Sequence, residues 1–483
     1  MIRLSTRLQT AGSVVCLLAV LSPAPSRVSA QEAPAHPVIS ATLDETLAAA
    51  RLGTSTSAAN DSVALATLID ELLRTNQELK AASTRVVAAT SRPDRAESLP
   101  DPSLALVYRN VGFPEFTLGD EMMTMLGVRV TQALPASGKR PQRRLVAEQD
   151  VEMAAAMVES TRRRLIQEVA TAYYELAYVH EAIDIVGQTR ELLLDLEETA
   201  ETRYAVGDGL QQDVLKGQVE ISTLLNRIVQ LDQQRASLEA RINRLVGRKP
   251  GAPLGRPAAL DFELNDIPIA AVLPEATRSS AILAARAQRI EQQHAAVELV
   301  RTDRRPDLML SGAYMNRGGL PGLWELNIGF TLPIRKSGNQ DLEIEENLQE
   351  LDARRSEHVD AIQAVELVVH DSYLRTDRAI RLTRLYRDAI VPQALLSLES
   401  MMAGYGVGKV DFPAVLDSVV TLLTYRIELA REAASYAKAV VRIEEHLGRS
   451  LGATPSESWQ APPLTTNTDV AGAVTAWAAG GER

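Results

Sequence analysis

Apolar residues along most of this chain recur at steps of three and four. Val169, Tyr173, Leu176, His180 and Ile183 form one stripe, in which His180 is the polar member. Ile221, Leu224, Ile228 and Leu231, then Leu238, Ile242 and Leu245, form a second. Leu416, Val420, Leu423, Ile427, Ala430, Ala434, Ala437 and Val441 form a third. This spacing predicts helices packed as a coiled coil or bundle. Two short regions alternate instead. Trp324, Leu326, Ile328, Phe330 and Leu332 share one face, with Glu325, Asn327, Gly329 and Thr331 on the other. Leu126, Val128 and Val130 likewise oppose Gly127, Arg129 and Thr131. A period of two predicts strands, placed as pairs near 103–134 and 307–333. The turn-like segments Gly112-Phe113-Pro114 and Gly318-Gly319-Leu320-Pro321-Gly322 close the two pairs.

The order helix, two strands, long helix, tight turn, helix occurs twice. Tyr204-Ala-Val-Gly207 with Val214-Leu215 matches Tyr405-Gly-Val-Gly408 with Val415-Leu416 at an offset of 201, as does Arg241-Ile242 with Arg442-Ile443. Leu134-Pro135 pairs with Leu332-Pro333, and Asp101-Pro102 to Tyr108 resembles Pro306-Asp307 to Tyr314. The repeats span 60–247 and 272–448, joined by a Pro/Gly-rich linker over 248–271. The tail, 449–483, is rich in Ala, Thr, Ser and Pro and reads as loosely ordered.

Lengths give each repeat a shape. At 1.5 Å per residue Lys139–Tyr204 is roughly 100 Å long. Gln211–Val246 and Leu65–Ser91 come to about 54 and 40 Å, and both run antiparallel to it. In the second repeat Lys336–Tyr405 is about 105 Å, against about 52 and 48 Å for Pro413–Leu447 and Leu273–Arg304. Each repeat is therefore expected as one long helix beside two short ones stacked end to end. Pro392 is expected to kink the second long helix.

Composition narrows the function. The chain has 483 residues, with 62 acidic against 51 basic side chains and a net charge of −11. That balance opposes a nucleic-acid partner, which calls for a basic face. Residues 1–30 read as a signal peptide: Arg3 and Arg7 precede an apolar stretch, Ala11–Leu21, and Val28-Ser29-Ala30 fits a cleavage site. Val15 before Cys16 does not fit a lipid-anchor site, which places a small residue there. Losing Arg3, Arg7 and Arg27 takes the charge from −11 to −14, and Cys16, the one cysteine, leaves with them. An exported chain without disulfides takes its stability from burial or assembly. Residues 31–59 form an N-terminal extension.

The alternating strands fit a half-buried soluble sheet. They fit equally a barrel with lipid outside and water inside, and about 10 residues is the length a tilted membrane strand needs. The export signal and the long rods favour the barrel. Four strands cannot close one, because the smallest membrane barrels have eight, and an open edge in lipid leaves backbone groups unpaired. Several chains must then share one barrel. Three copies would give 12 strands, although strand counts alone do not choose three over two.

Together these features resemble the TolC-type outer membrane efflux family. The resemblance rests on Arg203-Tyr204-Ala-Val-Gly207 with Asp213-Val214-Leu215, and on Tyr405-Gly-Val-Gly408 with Val415-Leu416-Asp417. The strand-to-helix signatures Leu134-Pro135-Ala-Ser-Gly138-Lys139-Arg140 and Leu332-Pro333-Ile-Arg-Lys336-Ser-Gly338 add to it. It implies a mainly α fold with a small β part. A duplicated long-helix tunnel would continue a trimeric 12-stranded barrel in outer membrane lipid. It implies a homotrimeric, non-enzymatic exit duct. Its partners would be a periplasmic adaptor and an inner-membrane transporter, read here as the resistance-nodulation-division type. The resemblance places Tyr204, Val206, Gly207, Tyr405, Val407 and Gly408 at the periplasmic tip, against the adaptor. It also places Asp417 at an acidic constriction. Ala414 stands where some relatives carry a second acid, and Asp411 is the substitute. The plainer readings are that the glycines let the hairpins turn and that Asp417 is a solvated helix charge.

Other signals carry less. Gly404-Tyr-Gly406-Val-Gly408-Lys409 lacks phosphate-loop spacing. The six histidines form no zinc motif, and no cofactor is implied. Met122, Met123 and Met125 suit Cu(I) as thioethers, yet are expected as lipid-facing packing at a strand end. The rival functions are a type I secretion duct and a periplasmic coiled-coil scaffold or adaptor.

Overall fold

Where the three-and-four spacing runs uninterrupted, the chain forms helices of the expected length. The computed structural model describes residues 62–109, 118, 120–260, 264–332, 334 and 338–454. The signal peptide, the 31–59 extension, Gly112-Phe113-Pro114, Lys336 and the tail beyond 454 lie outside them. The first repeat contains α1 (Leu65–Thr75), α2 (Gln77–Thr90), α3 (Arg92–Glu97), β1 (Ser103–Arg109), β2 (Met125–Leu134), α4 (Lys139–Ala205) and α5 (Gln211–Leu245). The second contains α6 (Ile269–Ser279), α7 (Ala281–Thr302), β3 (Asp307–Arg317), β4 (Leu320–Thr331), α8 (Gln340–Leu385), α9 (Val391–Gly406) and α10 (Phe412–Leu447). A π-helical turn, Tyr386–Ile390, joins α8 to α9.

The 67-residue α4 is the spine. It packs against α5 over its C-terminal half and against α1, α2 and α3 over its N-terminal half, with α7 and α10 on other sides. The predicted end-to-end stack is therefore present, but the first short helix is not continuous. It breaks at Asn76, whose backbone is extended (φ −65°, ψ 122°) and whose side chain caps α2 by accepting from the Glu78 and Leu79 amides. Asn76 Nδ2 also donates to the Leu245 carbonyl at 2.8 Å, so the break is where the end of α5 abuts. The second repeat breaks at the corresponding Ser280 (φ −63°, ψ 120°), whose hydroxyl lies 3.2 Å from His446 Nδ1. Leu68, Ile69 and Leu72 of α1 fill the joint at Asn76 with Leu165, Ile166, Val169, Ile242 and Val440. Each such buried side chain contributes about 2 kcal/mol relative to exposure.

At Pro392, where a kink is expected, the chain passes through a π-turn. The proline's missing N–H falls in the first turn of α9, and the widened turn just before it accommodates the ring. The tail also departs from expectation at its start. The buried Glu444 carboxylate accepts from the amides of Leu451 (2.6 Å) and Ala453 (3.1 Å) and from the Thr454 hydroxyl (2.6 Å), which fastens residues 449–454 onto α10.

The four strands form one antiparallel sheet in the order β1-β2-β3-β4. The second hairpin turns on Gly318-Gly319 alone, with Arg317 opposite Leu320, so Leu320, Pro321 and Gly322 belong to β4 rather than to the turn. Lys139 fixes the sheet to the spine. Its buried ammonium lies 3.2 Å from Asp303 and 2.9 Å from Asp307, and Asp307 also accepts the Ala136 amide at 2.7 Å.

Candidate functional site

The two helix tips are built alike. After α4, the Asp208 amide reaches back to the Arg203 carbonyl at 2.9 Å, and Gly207 takes φ 84°. After α9, the Lys409 amide reaches the Gly404 carbonyl at 2.9 Å, and Gly408 takes φ 72°. These are left-handed C-terminal turns in which a side chain is strained, which explains the glycine at both.

The side chains around the turns differ. Tyr204, Val206 and Val407 are exposed, the two valines at 69% each. Tyr405 is only 6% exposed. It packs edge-on against the buried Phe412, ring centroids 5.8 Å apart, and burial pushes its hydroxyl above the ordinary range. Arg203 covers it: the guanidinium sits 4.7 Å from the Tyr405 ring centroid and donates to the Tyr405 carbonyl at 2.5 Å. Arg203 therefore ties the first tip to the second. In the sequence Arg203 belongs to the tip motif without a role of its own. The signal was a break in the repeat, because its counterpart is Gly404.

Asp411 stands at the N-cap of α10 without a capping bond from its side chain, and Asp417 lies exposed 6 residues on. Asp213 is nearby in the first turn of α5, and its Oδ1 is buried without a hydrogen-bond partner among the described residues. The structure thus gathers Tyr204, Val206, Gly207, Val407, Gly408, Asp411 and Asp417 at one end of the helices. Tyr405 supports that end from inside.

At the other end the sheet has two distinct faces. Leu104, Leu106, Leu126, Val128, Val130, Leu310, Tyr314, Trp324, Leu326, Ile328 and Phe330 project together and are all exposed, Leu106 at 80% and Trp324 at 83%. The opposite face carries Ser103, Arg109, Thr131, Ser311 and Asn327 around an ion pair. Arg129 on β2 reaches over the small Ala313 on β3 to Glu325 on β4, 3.2 Å away. Arg109 approaches the same carboxylate at 3.9 Å. Met125 belongs to this second face, packed with Ala313 and Met315, and not to the apolar one. Strand alternation decides this, since Leu126 takes the apolar side. Met122 and Met123 are exposed. No described helix is long and apolar enough to cross a membrane.

His180 and His446 stay neutral near pH 7. Burial, aided by neighbouring arginines, lowers each to about 4. Among the described residues no group of three or more His, Cys, Asp or Glu is placed to hold a metal ion.

Comparison with known proteins agrees with this geometry. A family model described as outer membrane efflux protein matches residues 68–248 and 272–449. The cobalt-zinc-cadmium resistance protein CzcC of Cupriavidus metallidurans is 23% identical over 317 residues, covering 65% of this chain and 74% of that protein. An uncharacterized Haemophilus influenzae protein is 31% identical over 108 residues, which span 22% of this chain and 24% of the relative. Among solved structures, the outer-membrane channel OprN superposes with a TM-score of 0.67 at 18% identity, covering 80% of this chain and 89% of that one. VceC of Vibrio cholerae gives 0.64 at 18% identity, covering 80% and 96%. CmeC of Campylobacter jejuni gives 0.65 at 14% identity, covering 85% and 95%. At these identities the structures share the fold.

Proposed function

The chain belongs to the outer membrane efflux protein family, and on that premise we propose that three copies form the exit duct of a tripartite efflux system. Three four-stranded sheets close a 12-stranded barrel in the outer membrane, and the long helices continue it as a tunnel through the periplasm. The duct conducts passively. A periplasmic adaptor and an inner-membrane transporter of the resistance-nodulation-division type supply cargo and energy. The adaptor contacts Tyr204, Val206, Gly207, Val407 and Gly408, with Tyr405 shaping the site from beneath. Asp411 and Asp417, repeated by symmetry, form the acidic constriction.

One observation carries this reading: the sheet exposes a mostly apolar face, with Gln132 and Asn316 its polar members, and holds its charges on the other. In water that face would be a large uncovered patch, whereas in lipid it is the outer wall of a barrel. The helices add support. Leu215, Val219 and Val229 on α5, and Leu367, Leu374 and Leu396 on α8 and α9, are apolar and exposed, as the seams of an assembled tunnel require. A soluble scaffold gives neither surface a use.

Metal cations are the proposed cargo, on the name of the CzcC relative. The test compares a deletion strain with its complemented partner on metal ions, detergents and antibiotics, beside detergent extraction of the protein. Sensitivity to cobalt, zinc or cadmium and a heat-sensitive trimer support both duct and cargo. Sensitivity confined to hydrophobic compounds replaces the cargo with drugs and keeps the duct. A protein that is monomeric without detergent overturns the duct.

A further inference from the structure

The two hairpins of the sheet are copies in register as well as in sequence. Asp101, Leu104, Tyr108 and Asn110 stand 206 positions before Asp307, Leu310, Tyr314 and Asn316, and Leu134-Pro135 stands 198 before Leu332-Pro333. Applied to the first hairpin, these offsets turn Ser103↔Thr131 into Met309↔Gly329 and Leu106↔Val128 into Gly312↔Leu326. Both are pairs that the second hairpin makes. Within the chain the copies meet at the β2–β3 joint, where Thr131 opposes Ser311 and Val128 opposes Tyr314. Among the described residues no strand lies beyond the outer edges of β1 and β4. By the repeat, β4 corresponds to β2 and β1 corresponds to β3.

The barrel proposed above sets β4 of one chain antiparallel to β1 of the next copy, and we propose that the two pair in the register of the β2–β3 joint. This rests on the multi-chain barrel argued above and adds its seam. Moving the joint by the two offsets sets Gly329 opposite Ala105 of the partner subunit. It follows that Thr331 opposes Ser103 of the partner subunit, Asn327 opposes Val107 of the partner subunit, and Glu325 opposes Arg109 of the partner subunit. On the other side Phe330, Ile328 and Leu326 meet Leu104, Leu106 and Tyr108 of the partner subunit.

Neither charge nor face entered that transfer, yet both come out matched. Every apolar-face residue meets an apolar-face residue, so the outer wall continues across the seam. Glu325 meets an arginine on the adjacent strand, where directly opposed opposite charges attract. Within one chain Arg109 reaches Glu325 only from three strands away, at 3.9 Å. At the seam each Glu325 sits between Arg129 of its own chain and Arg109 of the partner subunit. A slip of one residue would turn all apolar side chains to the wrong face. A slip of two would leave Glu325 opposite Val107 or position 111.

Cysteine pairs read this register in the full-length protein in its membrane, on a background in which Cys16, the chain's one cysteine, is Ser. Ser103→Cys with Thr331→Cys is the predicted pair, and Leu106→Cys with Ile328→Cys repeats it on the apolar face. Ser103→Cys with Gly329→Cys is the two-residue slip. Oxidation, or a short bis-thiol reagent, is expected to link the predicted pairs into a covalent ladder ending at the trimer and to leave the slip pair largely unlinked. Reduced, unheated samples of each variant report whether trimers formed. Trimers that link through the slip pair, or through no pair, overturn the register while keeping the duct. Monomers that never link overturn the duct itself.

Discussion

Gly207 and Gly408 carry the tip turns through backbone conformation and not through packing. Nothing lies within 4 Å of a side chain added at Gly207, and only Arg203 Nη2, at 3.5 Å, approaches one at Gly408. Replacing both by Val therefore strains the left-handed turns by about 1–2 kcal/mol each without disturbing the core. The expected outcome is loss of resistance with heat-sensitive trimers retained in the outer membrane; resistance that survives both changes removes the tips as the adaptor contact. His446 gives a second prediction at this scale. Its imidazole titrates near 6.5 when unfolded and about 4 when buried beside Ser280, Arg442 and Arg163. Below pH 6.5 the unfolded chain takes up a proton that the native site refuses. The stabilising contribution is thus complete above 6.5 and is lost as pH falls toward 4, by roughly 3 kcal/mol at most. His446→Gln removes that loss, so the melting temperature of the mutant should fall less than that of the wild type across this window. Parallel curves would refute it. The turn glycines were legible because the repeat prints them twice. Arg203 was not, because its partner is Tyr405, 202 positions away, and only the folded tips bring them together.

At the scale of elements, the sheet shows how close its strands lie. A side chain at Gly127 would stand 2.3 Å from Met315 Sδ and 2.3 Å from the Tyr314 carbonyl oxygen. Gly127→Val must push β2 from β3, a cost of about 1–3 kcal/mol, and trimers of this variant should dissociate at lower temperature. Met315→Ala relieves the sulfur and not the backbone oxygen, so rescue should be partial. Gly312→Ala, which meets nothing within 4 Å, should behave as wild type. Equal melting of all the variants would mean that the β2–β3 joint is looser than these distances require. The strands themselves, their two faces and the long helices followed from period alone. The breaks at Asn76 and Ser280 did not. Both residues occur in segments with helical spacing, and it is the end of a stacked neighbour that draws their backbones out of the helix. The π-turn before Pro392 is similar in kind: sequence marks where the proline disturbs the helix, and only the structure shows that the chain passes it on a π-turn.

For the whole molecule, the decisive feature is what one chain leaves uncovered. It has an apolar sheet face, two open strand edges and apolar flanks on α5, α8 and α9. On the proposed reading, lipid and further copies of the chain cover these surfaces, so folding and assembly are coupled. The sequence by itself determined the duplication, the long helix of the first repeat, the end-to-end stacking, the two-faced strands and the glycine turns. These are local or periodic properties, written wherever neighbouring residues must share a face or adopt one backbone conformation. Only the tertiary structure decided which side chains meet across the repeats: Arg203 on Tyr405, Lys139 between Asp303 and Asp307, Glu444 under the start of the tail, and Met125 on the charged side of the sheet. Those pairings depend on distances between residues far apart in the chain, which no local pattern encodes and which exist only once the helices and strands have packed.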